Sequence, residues 1–149
     1  MVQNSINDGL ELSKGDAIYR VMTNGEAATE LGDGTVVILD TSDSSGKTVI
    51  LPTAEGVPVF GVVVHPKGKD WTYAVGEDCL VCVNGVAMTQ VDGTDDIAAG
   101  SRMKAFDTNG VGYEAVPGTD HLSCIFGVAL DAYTTNDSLG FIPVFVGQK

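Results

Sequence analysis

Two carboxylates raise the question of chemistry. Asp40 closes the apolar run VVILD and is followed by Thr41; Asp107 closes MKAFD and is followed by Thr108. An apolar run ending in Asp-Thr, once in each half of a duplicated chain, can bring two carboxylates together to share a proton and activate water. The pattern breaks where that chemistry is strict. A small glycine should come next so that each loop can approach its mate, but Ser42 and Asn109 stand there. An Asp that follows a strand has a simpler use, accepting backbone N–H bonds and starting a turn. Catalysis through Asp40 and Asp107 is therefore kept as an alternative, and the expectation is that the chain is not an enzyme.

The other reactive side chains point the same way. Cys79 and Cys82 form a CxxC inside the strand-like run DCLVCV. Residues three apart in a strand face opposite sides, so the two sulfurs cannot share a metal, and they read as small buried hydrophobes. Cys124 stands alone. His65 and His121 have no neighbours that would complete a triad or an HExxH. The acidic DGTDD (Asp92–Asp96) offers oxygen ligands, but it lacks the spacing and closing Glu of an EF-hand loop. No phosphate loop is present. No catalytic, cofactor or metal residues are assigned.

One segment stands out as a contact surface. HPKGKDW (His65–Trp71) holds two of the eight basic residues and the only Trp. If it is exposed, Trp71 is an anchor for a partner's pocket, with His65, Lys67 and Lys69 around it. The competing reading is a Trp that plugs the end of a barrel.

The elements that must position these residues are strands. Hydrophobic residues make up 44% of the 149, Gly numbers 19, and charged residues are 19%. That mix suits short strands and tight turns. Runs such as DAIYRVM, GTVVILD, KTVILP, PVFGVVV, DCLVCV, SRMKAF, VGYEAV, SCIFGVAL and GFIPVFVG are separated by Asn-Gly, Asp-Gly or Ser-Gly turns, Asn84-Gly85 among them. Only 25–32 and 95–100 could hold a helical turn. The expected fold is all-β, a small closed barrel or sandwich.

The chain also repeats itself. Asp-Thr, a Gly turn, a Pro and then Phe-Gly-Val occur from Asp40 to Val62 and again from Asp107 to Val128. GDAIYRVMTNG (15–25) aligns with GEDCLVCVNG (76–85). The expectation is a single domain, 12–149, made of two tandem halves of about 60 residues, near 12–70 and 76–147. LGFIPVFVG then reads as the opening strand of an unfinished third unit, free to pair back and close the sheet.

Net charge is −12, with 20 acidic against 8 basic residues. An acidic surface repels phosphate backbones, so nucleic acid is not an expected partner. No run approaches the roughly 20 apolar residues of a membrane helix, and no membrane association is expected. The polar N-terminus shows no export signal, and three Cys fit reduced thiols made in a cytoplasm.

The second half carries a resemblance. LVCVNGVAMTQV, DDIAAGSRMKAF, DTNGVGYEAV, GVAL and the closing strand, in that order, resemble tailed-phage capsid decoration proteins, also called cement or head-stabilising proteins. The resemblance covers about 76–147 and, through the repeat, the first half more weakly. It implies a structural virion protein on the outer capsid surface. There it would bind where major-capsid-protein subunits meet, as a homotrimer, and steady the head against packed DNA. It also implies an N-terminal arm, here residues 1–11, that adds a strand to the capsid protein; Val2, Asn4 and Ile6 are its candidate contacts. The alternatives are another virion surface domain, a fibre or tail module binding a receptor or glycan, and an aspartic-type hydrolase.

Overall fold

The computed structural model describes residues 17–136 and 139–147. The candidate arm residues Val2, Asn4 and Ile6 lie outside the described residues. Eleven strands follow in order: β1 (Ile18–Asn24), β2 (Leu31–Gly32), β3 (Val36–Leu39), β4 (Thr48–Ile50), β5 (Gly61–Val64), β6 (Thr72–Tyr73), β7 (Asp78–Val91), β8 (Arg102–Ala105), β9 (Gly112–Glu114), β10 (Gly127–Ala129) and β11 (Gly140–Val146). The fold is all-β, as the β-branched runs predict. No α-helix occurs among the described residues; Leu122–Cys124 makes one 3-10 turn. The windows 25–32 and 95–100 do not form helical turns. Each delivers one apolar residue to a core by pairing with a tyrosine, Leu31 with Tyr73 and Ile97 with Tyr133.

The strands close on themselves twice. β1 pairs parallel with β4, and β4, β3, β5 and β7 follow in antiparallel steps. β7 then pairs antiparallel with β1, and the first ring is shut. β7 continues past this ring and repeats the scheme. It pairs parallel with β9, and β9, β8, β10 and β11 follow antiparallel until β11 returns to β7. Each ring uses its sheet edges internally, so neither leaves a long open edge to template another chain.

Hydrogen bonds show how closely the second ring copies the first. Gly34 N–H donates to Val63 O, and Gly100 N–H to Ala129 O, both at 2.7 Å. Val63 N–H donates to Thr35 O, and Ala129 N–H to Ser101 O, both at 2.8 Å. Phe60 donates to Val37 and Phe126 to Met103, both at 2.9 Å, as do Gly25 to Val49 and Asp92 to Gly112. The Phe-Gly-Val of each half has one physical cause. A Cβ at Gly61 would lie 2.4 Å from Cys82 O and 2.7 Å from a Val81 methyl. One at Gly127 would lie 2.6 Å from Phe145 O and 2.7 Å from a Val144 methyl.

These equivalences correct the alignment of the opening strands. β1 corresponds to the second half of β7, Gly85–Val91, because Asn24↔Val49 matches Val91↔Gly112. The stretch DCLVCV corresponds instead to FIPVFV in β11, each closing its ring. β7 therefore belongs to both rings, and no linker separates them. Asn84-Gly85 is not a hairpin turn. It is an irregularity within β7, where the register against β1 shifts at Ile18. Gly85 has φ +123, and Ala17 Cα lies 2.8 Å from where its Cβ would be.

Alternation along each strand fills two cores. Met22, Leu31, Val37, Val49, Val63, Tyr73, Cys79 and Val81 fill the first ring. The second cluster takes Ile97, Met103, Ala129, Ile142 and Val144 at the equivalent positions. It also takes Val36, Val62 and Cys82, which point out of the first ring and are buried against the second. Thus the rings share an apolar seam. An ion cluster ties them further. Lys104 of β8, only 5% exposed, places Nζ 2.7 Å from Glu55 of the β4–β5 loop and 2.9 Å from Asp120. Beside it, Gly56 N–H donates to Ala105 O at 3.0 Å.

Candidate binding surface

The segment after β5 is built as a braced tip. His65 N–H donates to Asp33 Oδ1 at 2.7 Å, which fixes the exit from the strand. Lys67 N–H donates to His65 Nδ1 at 3.1 Å, and Gly68, with φ +99, turns the chain back. The His65 ring packs against two aromatic rings. Its centroid is 6.1 Å from that of Trp71, nearly parallel at 21°, and 4.6 Å from that of Tyr73. Lys67 Nζ sits 4.4 Å above the Trp71 ring, a cation–π contact. Lys69 Nζ lies 5.9 Å from the ring of Phe141 in β11.

This geometry decides between the two readings of Trp71. It is 49% exposed, so it does not plug the barrel. The plug is Tyr73, 8% exposed, whose hydroxyl donates to Val64 O at 2.8 Å. Burial pushes the Tyr73 phenol above its ordinary pKa. The four candidates His65, Lys67, Lys69 and Trp71 thus lie in one exposed segment, held by each other and by two residues the sequence reading missed. Tyr73 had a signal, since it alternates with Trp71 across Thr72. Phe141 had none, because β11 reaches this tip only through the ring topology.

The remaining candidates are local structure. Asp40 Oδ1 accepts from Ser42 N–H at 2.9 Å, and Asp107 Oδ1 from Asn109 N–H at 2.7 Å. The two carboxylates cap corresponding turns of different rings. Cys79 faces the first core and Cys82 the second. Burial pushes the Cys79 thiol to about 11 and raises Cys82. His121 caps the 3-10 turn, its Nδ1 accepting from Ser123 N–H at 3.1 Å. In the acidic loop, Asp92 Oδ1 accepts from Thr94 N–H, and Asp95 accepts from the Tyr113 hydroxyl at 2.7 Å. No cluster of metal-ligating side chains occurs among the described residues. A shallow groove of about 640 Å³ runs beside the Asp40 turn, walled by Leu39, Ile50, Val57, Pro58 and Phe60. Neither a family model nor a characterised protein sequence matches the chain.

Proposed function

We propose that this chain is a capsid decoration protein that binds the outside of a tailed-phage head at junctions between major-capsid-protein subunits. The observation that carries the reading is the braced tip at His65–Trp71. A half-exposed Trp, stacked on His65 and covered by Lys67, is a pre-ordered anchor that loses little side-chain freedom on binding. It stands on a body whose strand edges are closed and whose surface is acidic overall, which suits a protein kept soluble until its site exists. The order of elements in the second half, which resembles such proteins, supports the same reading. In this reading the polar residues 1–11 are the arm that adds a strand to the capsid partner. Modest affinity at each tip suffices if several chains act together.

The test is co-sedimentation of the purified chain with expanded, undecorated heads of its own phage. The wild type is expected to pellet with the heads at a fixed ratio. Trp71→Ala is expected to weaken this by about tenfold or more, the scale of a central aromatic anchor, with an unchanged melting temperature. Failure of the wild type to pellet would overturn the reading. Undiminished binding by Trp71→Ala would move the contact away from this tip.

A further inference from the structure

The chain enters β1 along an edge of β7 that runs on beyond it. The two strands are antiparallel, with Tyr19 opposite Cys82 and Ile18 opposite Asn84. Ala17 then sits on Gly85, its Cα 2.8 Å from where a Cβ on Gly85 would be. The residues before Ala17 are therefore delivered at Val86. β11 takes the other edge of this stretch, with Ala87 opposite Val144 and Met88 opposite Pro143. Proline has no N–H, so Met88 turns its own N–H and C=O away from β11. By alternation Val86 and Gln90 turn the same way. Gln90 bears this out, since its N–H donates to Gly34 O at 2.8 Å. Val86 and Met88 have no backbone partner on that edge among the described residues.

The edge is short, and it ends at the tip. Gly34 O closes it at Gln90, and the Gln90 side-chain Nε2 donates to Asp33 O at 3.2 Å. Asp33 is also the residue whose carboxylate holds His65 N–H. Phe141, whose ring Lys69 approaches, lies 2.9 Å from the Cβ position of Gly34. On the outer face of the edge Val86 and Met88 are 39% and 48% exposed. The sequence that leads to β1 carries the period of a strand. From Val2 to Asp16 its apolar residues Val2, Ile6, Leu10 and Leu12 all fall on even positions, with polar residues or glycine on the odd ones.

We infer that residues 14–16 dock on this edge of their own chain as an antiparallel continuation of β1, Asp16 opposite Val86, Gly15 opposite Ala87 and Lys14 opposite Met88. Connectivity sets the occupant. The chain arrives at Ala17 already in this register, and any other segment would have to displace one that is tethered at the site. The residue types fit. Gly15 takes the inward place beside buried Ala87, where no side chain needs room, and Lys14 lays its apolar stem on exposed Met88. The pairing gives Val86 and Met88 their missing backbone partners and covers a bare edge. Beyond Lys14 the chain must lift off the sheet, because Gly34 already holds Gln90. Residues 1–13 thus leave the body beside Asp33, and the arm and the His65–Trp71 tip meet one partner surface together. That last step rests on the proposed function, which names the partner; the docking itself does not.

Hydrogen exchange of the full chain, followed by nuclear magnetic resonance, reads the docking. Val21 is the control. It holds the place of Met88 on β1, and its N–H also points to an edge with no partner among the described residues. The Met88 N–H is expected to exchange about tenfold or more slowly than that of Val21. Lys14→Pro removes the facing N–H and should bring Met88 to the Val21 rate while Val81 stays protected. A second measurement fixes the register. Lys14→Cys and Met88→Cys are placed in one chain, where such an opposed pair has Cα atoms about 5.5 Å apart, within disulfide reach. Mild oxidation at low protein concentration is expected to give a bond within the chain, the native thiols being buried. Equal exchange at Met88 and Val21 in the wild type, or no bond, would overturn the inference. A bond formed only between chains would do the same and assign the edge to a second copy. Undecorated heads test the joint contact separately, and the cross-linked chain is expected to pellet with them as the wild type does. Loss of pelleting by the cross-linked chain alone would overturn the joint contact. Loss by both would sink the capsid reading and leave the docking standing.

Discussion

Replacing Lys104 by Met isolates the ionic tie between the rings. The Met side chain keeps most of the buried stem, so the packing changes little. What is lost is one cation and its bonds to Glu55 at 2.7 Å and Asp120 at 2.9 Å. Removing one member of a fully buried pair costs about 3–5 kcal/mol. Here the cost is smaller. The Glu55 side chain is 56% exposed and returns to water, and Asp120 keeps the Val116 N–H at 2.6 Å. Relief of the lysine's own desolvation offsets part of the rest, which leaves a loss of about 1–3 kcal/mol at neutral pH. For a chain of this size that lowers the melting temperature by about 3–10 °C. The pH dependence is the sharper test. The Val116 N–H, and then Lys104, hold the Asp120 carboxyl below its ordinary pKa. Its contribution is therefore present above about pH 4 and is lost as the pH falls through the folded value. Burial alone would lower the Lys104 pKa, but the bonds to Glu55 and Asp120 outweigh it and raise the value. That contribution is present below about pH 10 and is lost as the pH rises through the folded value. The difference between wild type and Lys104→Met should thus be widest between about pH 5 and 9 and shrink at both ends. Urea unfolding followed by circular dichroism at pH 3, 7 and 11 measures it. Equal midpoints at pH 7, or a difference that ignores pH, would refute the reasoning.

Three further outcomes follow from the same geometry. Gly61→Ala and Gly127→Ala should each destabilise by about 2–4 kcal/mol, because both push a methyl onto a neighbouring strand's carbonyl, whereas Gly46→Ala, in open space at positive φ, should cost only about 1 kcal/mol; a denaturant series that ranks Gly46→Ala as the most harmful contradicts the account. The three thiols are buried, and burial pushes Cys79 to about 11, so a thiol reagent at pH 8 should label the native protein only as fast as it opens; rapid labelling of any cysteine before urea is added would show a different core. Tyr113 donates to Asp95, a bond that together with burial pushes its phenol up to about 12, so ultraviolet titration of Asp95→Asn should show one tyrosine moving back toward about 10, and an unchanged curve would deny the bond.

The parts of this fold legible in the sequence are those set by local rules. Strands show as β-branched runs, and the Asp40 and Asp107 turns as Asp followed by a small polar residue and a Gly. Cys79 and Cys82 facing opposite cores follows from strand alternation alone. The alignment of the opening strands failed for a physical reason. A strand that closes one ring and opens the next carries two unrelated constraints in one unbroken run, and Asn84-Gly85 inside it has the composition of a turn. The signal that would have corrected the register lies elsewhere, in LGDGT (31–35) against IAAGS (97–101). There one buried apolar residue, a Gly at positive φ and a hydroxyl side chain recur in order. The tip was legible as far as Trp71. Its brace was not, because Phe141 comes from the far end of the chain and contact across a ring leaves no trace in local spacing.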